Sequence, residues 1–399
     1  MPARPHAPQL HWPWRQDTNA VLSVEGDVFF PAILEAVAEA RQRIDLEIYM
    51  CSGGEVFEQW LAALSAAAAR GIQVRMLIDD AGSEQLSAAD RDRLQQVDGI
   101  TLRVFNPIRF GHPSQALIRD HRKLVVVDGE RAWTGGMGLD DHYSQQLSGD
   151  QSWLDAMVQC EGQLAADWQE LFEQAWALAG RGPIKGAYRW RLYRQHIRQA
   201  VQERPQHAPA ARVIGARGGR RNPILHVALQ RLDQAQQQIW LCTPYFLPPR
   251  LLMRALERAA LRGVKVHLML CGPHSDHPPL RYAGQHLYQR LIDMGVEIYE
   301  YDRRFIHLKA IRADQWCSLG SFNFDRWNSS WNLEANAEWD GEPALLADLD
   351  RLQQQLEHEA MYVDPRRWEL RNLRIQTQQA LMYWVGTRGI KLLRRWRGD

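Results

Sequence analysis

The chain is predicted to be an α/β protein made of two homologous halves that face each other across a pseudo-two-fold axis. Three observations predict this. The octet HRKLVVVD at 121–128 returns as HLKAIRAD at 307–314, and both fit HxKxxxxD. A length of 399 residues, 45% hydrophobic and 24% charged, exceeds one ordinary core yet describes a folded globular protein, so about two domains are expected. Finally, the segments before each octet recur in one order: AVAEARQRIDLEIYM (36–50) answers ALQRLDQAQQQIWLCTPYF (228–246), and AAAARGIQVRMLID (66–79) answers ERAALRGVKVHLML (257–270). Each set reads helix, apolar strand, helix, strand, then octet, which is the alternation of an α/β fold.

Taken in order, residues 1–20 are an N-terminal extension, in which MPARPHAPQLHWPWRQ lacks the apolar stretch of a secretory leader. The first domain covers 21–180. Its second helix should stop at Gly71, a residue suited to the left-handed turn that ends helices, as Gly263 does in the other half. LVVV after His121 is β-branched and reads as a strand, and Asp128-Gly129 is a hairpin-turn signal. Residues 181–221 form a linker with eleven Arg or Lys against the single acidic Glu203, either an anion-docking segment or a solvated connector. The second domain covers 222–365. A tail, 366–399, carries nine Arg or Lys with Trp368, Trp384 and Trp396 among them, the composition of an interfacial membrane helix or of a basic helix packed on the body. Nowhere do eighteen apolar residues run together, so the chain is expected to be soluble or peripheral and cytoplasmic. The five cysteines are odd in number and scattered through apolar strands, which predicts buried free thiols.

Chance does not account for the octets: about 0.01 matches to HxKxxxxD are expected in a chain of this composition. Only five of the 48 basic residues are lysine, and two of those five stand in HxK. An ammonium is a compact point charge that can crowd one phosphate oxygen, whereas guanidinium is a planar fork. In a strand, residues two apart share a face, so His121 and Lys123 point together, as do His307 and Lys309. Asp128 and Asp314 complete the octets and belong among the candidate site residues by motif, although their turn positions suit a structural hydrogen-bonding role. Two imidazoles and two ammonium groups make a cationic pocket for a phosphodiester. One imidazole can attack phosphorus while the other protonates the leaving oxygen and then activates an acceptor. The lysines would neutralise charge on the non-bridging oxygens. Neither octet has metal-ligand spacing, so no metal or cofactor is expected.

The paired octets, with TGGMGLDDHY (134–143) and LGSFNFDRWNSSWNLEAN (319–336), resemble the phospholipase D superfamily, and the second stretch is similar to its bacterial cardiolipin synthase branch, shorter type. LEIYM with Glu47, MLIDDAGS with Asp79 and Gly82, RDHRK with Arg119, TPYFLP with Tyr245 and LYQRLIDMGVEIYEY extend the likeness over roughly residues 20–365. The resemblance implies two phospholipase D-like domains with mixed, helix-flanked sheets and an active site at their interface. It implies that His121 is the nucleophile and His307 the acid/base, and that a carboxylate downstream of each motif, Asp155 and Glu334, orients the imidazole by accepting from its other nitrogen. It further implies phosphate and substrate contacts from Asn323, Ser321, Gly136, Tyr245 and Arg119.

Two departures stand out. Gly138 occupies the place of the family's first-half asparagine, and five residues separate Asp314 from Gly320 against six between Asp128 and Gly135, so the second hairpin turn should be tighter. The resemblance implies an enzyme that makes cardiolipin by transphosphatidylation onto phosphatidylglycerol from a donor such as phosphatidylglycerol or phosphatidylethanolamine, bound peripherally at an anionic membrane on the inner face of the cell. A phosphodiesterase or nuclease using water is the alternative, and a non-catalytic membrane scaffold a third. A formal net charge of +1 and 16 Trp favour lipid over nucleic acid, which asks for a broad basic surface. Both octets lie on one chain, so a monomer suffices.

Overall fold

The computed structural model describes residues 9–108, 117–179, 200, 203, 205–217 and 222–397. In the first half, strands β1 (Val21–Val24), β2 (Arg43–Ile48), β3 (Gln73–Asp79), β4 (Ile100–Phe105), β5 (Leu124–Val127), β6 (Arg131–Gly135), the two-residue β7 (Trp153–Leu154) and β8 (Ala156–Glu161) alternate with helices α1 (Gly26–Glu39), α2 (Glu55–Ala69), α3 (Ala88–Gln96) and α4 (Gln163–Ala179). Seven of these strands form a mixed sheet in the order β1-β8-β6-β5-β2-β3-β4, in which β2, β3 and β4 are parallel and the remaining neighbours antiparallel.

The second half repeats that plan. It contains β9 (Ala210–Ala216), α5 (Pro223–Gln234), β10 (Gln238–Thr243), α6 (Arg250–Leu261), β11 (Lys265–Cys271), α7 (Pro278–Gln285), β12 (Glu297–Tyr301), β13 (Phe305–Ile306), β14 (Ala310–Ala313), β15 (Trp316–Gly320), β16 (Glu334–Asp340), α8 (Pro343–Glu359), β17 (Met361–Tyr362) and α9 (Leu373–Arg397). Its sheet runs β9-β16-β15-β14-β10-β11-β12 with β17 added at the edge. A central core lies between the sheets and joins Val126, Trp168 and Phe172 of the first half to Ala310, Leu319 and Trp339 of the second. Separate cores fill the outer face of each sheet, under α1 and α2 on one side and α5 and α6 on the other.

Local chemistry repeats as well. Gly71 and Gly263 take φ of 85° and 84°, and their N–H groups close the helix ends on Ala68 and Ala260 at 2.8 and 2.9 Å. The β5–β6 hairpin pairs Val127 with Arg131 whereas β14–β15 pairs Ala313 with Trp316, so the second turn is one residue shorter, as the spacing predicts. Asp128 and Asp314 sit in those turns at φ 57° and 51°. Their carboxylates accept the N–H groups of Arg41, Gln42 and Arg43, and of Gln236, Gln237 and Gln238, all at 2.8–2.9 Å. Each therefore ties the octet's strand to the start of β2 or β10.

Two boundaries differ from expectation. The linker assigned to 181–221 contains β9, because Arg212 finds buried partners there in Glu338 and the Ala200 carbonyl, and the second sheet begins at Ala210. Most of the remaining basic linker lies outside the described residues. The N-terminal extension is not separate either: Trp12 and Arg15 bond through their main chains to Val213 and Ala211 along the β9 edge. The tail is helical, and α9 packs on the body beside α7. All five cysteines are buried and free. Among the described residues, no helix is long and apolar enough to cross a membrane.

Candidate active site

Each octet meets the opposite half just before its strand begins. The His121 N–H bonds to the Leu333 carbonyl at 2.9 Å, and the His307 N–H to the Leu154 carbonyl at 2.7 Å. Leu333 precedes Glu334, and Leu154 precedes Asp155. The register that pins an octet to the other half thus also presents that half's carboxylate to its imidazole. His121 Nδ1 lies 3.0 Å from Glu334 Oε1, and His307 Nδ1 lies 2.7 Å from Asp155 Oδ2. The orienting carboxylates are exchanged between the halves. The parallel pairing of β7 with β13 continues the same seam.

Both lysines fold back on their own octet: Lys123 Nζ donates to the His121 carbonyl at 2.6 Å, and Lys309 Nζ to the His307 carbonyl. His121, Lys123, His307, Asn323 and Tyr245 open onto a cavity of about 710 Å³. Behind that wall, the Ser321 hydroxyl donates to Glu334. Gly136 leaves Asp155 its room, since a Cβ there would lie 2.1 Å from Asp155 Oδ2. The Tyr245 hydroxyl donates to Asp276 at 2.5 Å, and Asn323 Oδ1 has no protein partner.

Three motif residues fall elsewhere. Asp128 and Asp314, grouped with the catalytic candidates by motif, are the turn staples described above and touch neither imidazole. Arg119, expected to meet substrate, is buried with its guanidinium on Asp79 at 3.3 Å and on the Asn106 carbonyl at 2.9 Å. A buried guanidinium needs its charge matched, and Asp79, which also accepts the Asp120 N–H, does this inside the first half.

Aromatic neighbours complete the site. The Tyr49 ring packs edge-on against His121 at 4.7 Å, with Lys123 Nζ 4.8 Å above its face. Trp153 and Phe305 flank His307 at 5.2 and 5.6 Å. Tyr143 donates to the Gly136 carbonyl at 3.1 Å with its hydroxyl 3.3 Å from His307 Nδ1. A Cβ at Gly138 would come within 3.0 Å of both the Tyr143 ring and Met50 Cε, so Tyr143 fills the space an asparagine side chain would take. Tyr49 and Tyr143 stand in LEIYM and TGGMGLDDHY, but nothing in their spacing indicates that the rings turn toward the imidazoles.

Burial dominates the electrostatics. It pushes both imidazoles well below the usual histidine value, helped by Lys123 and Lys309, so they are neutral. Burial also depresses Lys123 to about 7 and Lys309 to about 8, and raises Asp155 to about 6 and Glu334 to about 8. Glu334 Oε2, which already accepts from Ser321, lies 3.1 Å from His121 Nδ1, so the proton of that imidazole belongs on Nδ1. That leaves Nε2 with its lone pair. The arrangement can offer a nucleophile and a proton donor to one phosphodiester in the shared cavity, with Lys123 beside them.

Known proteins similar to this chain point to one family. A family model described as "Cardiolipin synthase, PLD-like domain" matches residues 33–176 and 228–359. Cardiolipin synthase B of Salmonella typhi is 35% identical over 326 residues, 81% of this chain and 76% of the relative, and cardiolipin synthase B of Escherichia coli (strain K12) is 33% identical over the same shares. In fold, the chain resembles the phosphatidylserine synthase of Haemophilus influenzae, with a TM-score of 0.71 at 17% identity over 96% of each chain. It also resembles the polyphosphate kinase of Porphyromonas gingivalis, with a TM-score of 0.51 at 12% identity over 84% of this chain and 50% of that one.

Proposed function

The chain belongs to the phospholipase D-like cardiolipin synthase family, and on that footing we propose that it is a phosphatidyltransferase forming cardiolipin from a phosphatidyl donor and phosphatidylglycerol. The donor is phosphatidylglycerol or phosphatidylethanolamine. The observation that carries the reading is the pair of imidazoles, each held by a carboxylate of the other half, opening on one cavity beside Lys123. His121 Nε2 attacks phosphorus, a nitrogen–phosphorus bond forms, and the bond to the leaving alcohol breaks as His307, protonated once the anionic phosphodiester offsets the lysines and held as imidazolium by Asp155, gives that oxygen its proton. His307 then takes the proton of the acceptor hydroxyl, whose oxygen displaces the histidine and closes the cycle. Glu334 and Asp155 stabilise each imidazolium as it forms.

The exposed side of α9, where Leu373, Leu381 and Trp384 lie near Arg374 and Arg388, rests on an anionic membrane surface at the inner face of the cell, which keeps the cavity near its lipids. The deciding experiment is to incubate the protein with phosphatidylglycerol vesicles and weigh the products. Cardiolipin with free glycerol is expected. Phosphatidic acid alone would instead identify a hydrolase in which water is the acceptor.

A further inference from the structure

Helix α9 lies outside both repeats, yet it closes one side of the catalytic cavity. Its packed face recurs at helical spacing: the Gln379 amide donates to Gln285 of α7 at 3.0 Å, Tyr383 stacks on His286 at 4.7 Å, and Ile390 packs on Leu247 and Ala283. Turned slightly from that face, Val385, Gly386 and Gly389 line the cavity together with Leu247 and Leu280. Glycine inside a helix is destabilising relative to alanine, and packing does not demand it at 389, where a Cβ would meet nothing within 4 Å. At 386 a Cβ would reach Leu247 Cδ2 at an ordinary 3.4 Å. The glycines keep volume open within the cavity.

The cavity is polar at one end and apolar at the other. Beside the histidines, the buried Asn323 and Asn332 each carry a side-chain Oδ1 with no protein partner, a demand for a polar ligand. At the α9 end, Val385 lines the cavity and is still 49% exposed, and it adjoins Leu381 and Trp384, which are 51% and 52% exposed. Apolar side chains therefore continue from the cavity to the surface on this helix, where the Arg388 guanidinium lies 4.8 Å from the Trp384 ring. We propose that α9 forms an acyl-chain subsite: a fatty chain of the bound phosphodiester runs along the Val385–Gly389 face and emerges at the Leu381–Trp384 ridge. This rests on the lipid reading above.

The test uses nitrophenyl phosphodiesters carrying a hexadecyl or a butyl chain, kept below micelle formation, so that nitrophenol release reports chain recognition whether the enzyme transfers or hydrolyses. Wild-type full-length protein should prefer the hexadecyl ester in kcat/KM, because chain methylenes leave water in the subsite. Gly389→Phe, which fills the open volume, and Val385→Asp, which sets a charge at its mouth, should each cut that preference about tenfold or more. Gln378→Asp, exposed on the same helix but away from the cavity, should keep it. Absence of chain preference in the wild type, retention of it in both cavity variants, or equal loss in Gln378→Asp would each overturn the proposal. Failure of the cardiolipin reading shows separately, as phosphatidic acid in the vesicle assay, while the chain preference stands or falls on its own.

Discussion

Exchange of the carboxylates between the halves makes a prediction that pairing within each half would not. His307→Ala removes the proton donor but leaves His121, so a nitrophenyl diester, whose leaving group needs little protonation, should still release one burst of nitrophenol and leave a phosphohistidine on His121. Onto that variant either carboxylate can be neutralised. Asp155 sits 2.7 Å from His307, so once His307 is alanine, Asp155→Asn has no imidazole left to affect, and the burst rate should hold within a factor of about two. Glu334 is bound to His121, so Glu334→Gln removes a charge-assisted hydrogen bond of about 1.5–3 kcal/mol and should slow the burst roughly ten- to hundredfold. Rapid-quench measurement of the two double variants, with the adduct mapped by mass, supplies the comparison. If Asp155→Asn slowed the burst as much as Glu334→Gln did, the exchanged pairing would be refuted as the working arrangement.

Tyr143→Phe removes a hydroxyl 3.3 Å from His307 Nδ1, and turnover of natural lipid should fall about fivefold, the worth of about one hydrogen bond, while the nitrophenyl burst is spared. Equal loss on both substrates would mean that Tyr143 acts on something other than proton donation. Because Lys123 and Lys309 are depressed to about 7 and 8, they lose charge as pH rises through that window, and kcat/KM should fall there instead of near the ordinary lysine value of about 10.4. A pH profile on a soluble diester that stayed flat to about pH 10 would contradict this. Co-sedimentation with phosphatidylglycerol vesicles should weaken as salt rises, each basic residue near the surface contributing about 1 kcal/mol, and should weaken further in Leu381→Asp/Trp384→Asp. Binding indifferent to both changes would remove α9 from the membrane contact.

Periodicity and repetition made the two α/β halves, the glycine-ended helices and the shorter second hairpin readable, because these depend on residues close together in the chain. His121, Lys123, His307 and Lys309 were readable for the same reason, as octets. Arg119 misled because a motif match gives the residue's place and not the direction of its guanidinium, which turns inward to Asp79. The partner of each carboxylate lies 213 or 152 residues away, and no local spacing encodes which imidazole it meets. The role of α9 was hidden for a related reason. Its arginines and tryptophans advertised a surface helix, while the glycines that line the cavity carry no signal in composition.

Duplication alone would give two similar half-sites, but the exchange gives two composite ones. The first half contributes His121 without its carboxylate and Asp155 without its imidazole; the second contributes the complements. Neither pair exists until the central core of Trp168, Phe172 and Trp339 has closed, so the buried seam that stabilises the fold also sets the tautomer of both imidazoles. The two composites then differ in their surroundings. Glu334 takes a hydroxyl from Ser321 and faces an imidazole under Tyr49, whereas Asp155 has Lys309 at 3.8 Å and faces an imidazole boxed by Trp153, Phe305 and Tyr143. Like groups in unlike environments are how one protein divides acid and nucleophile duties at a single pH. On the roles proposed above, that division would follow from substitutions of one half relative to the other: serine against glycine at 321 and 136, glutamate against aspartate at 334 and 155, and asparagine against glycine at 323 and 138.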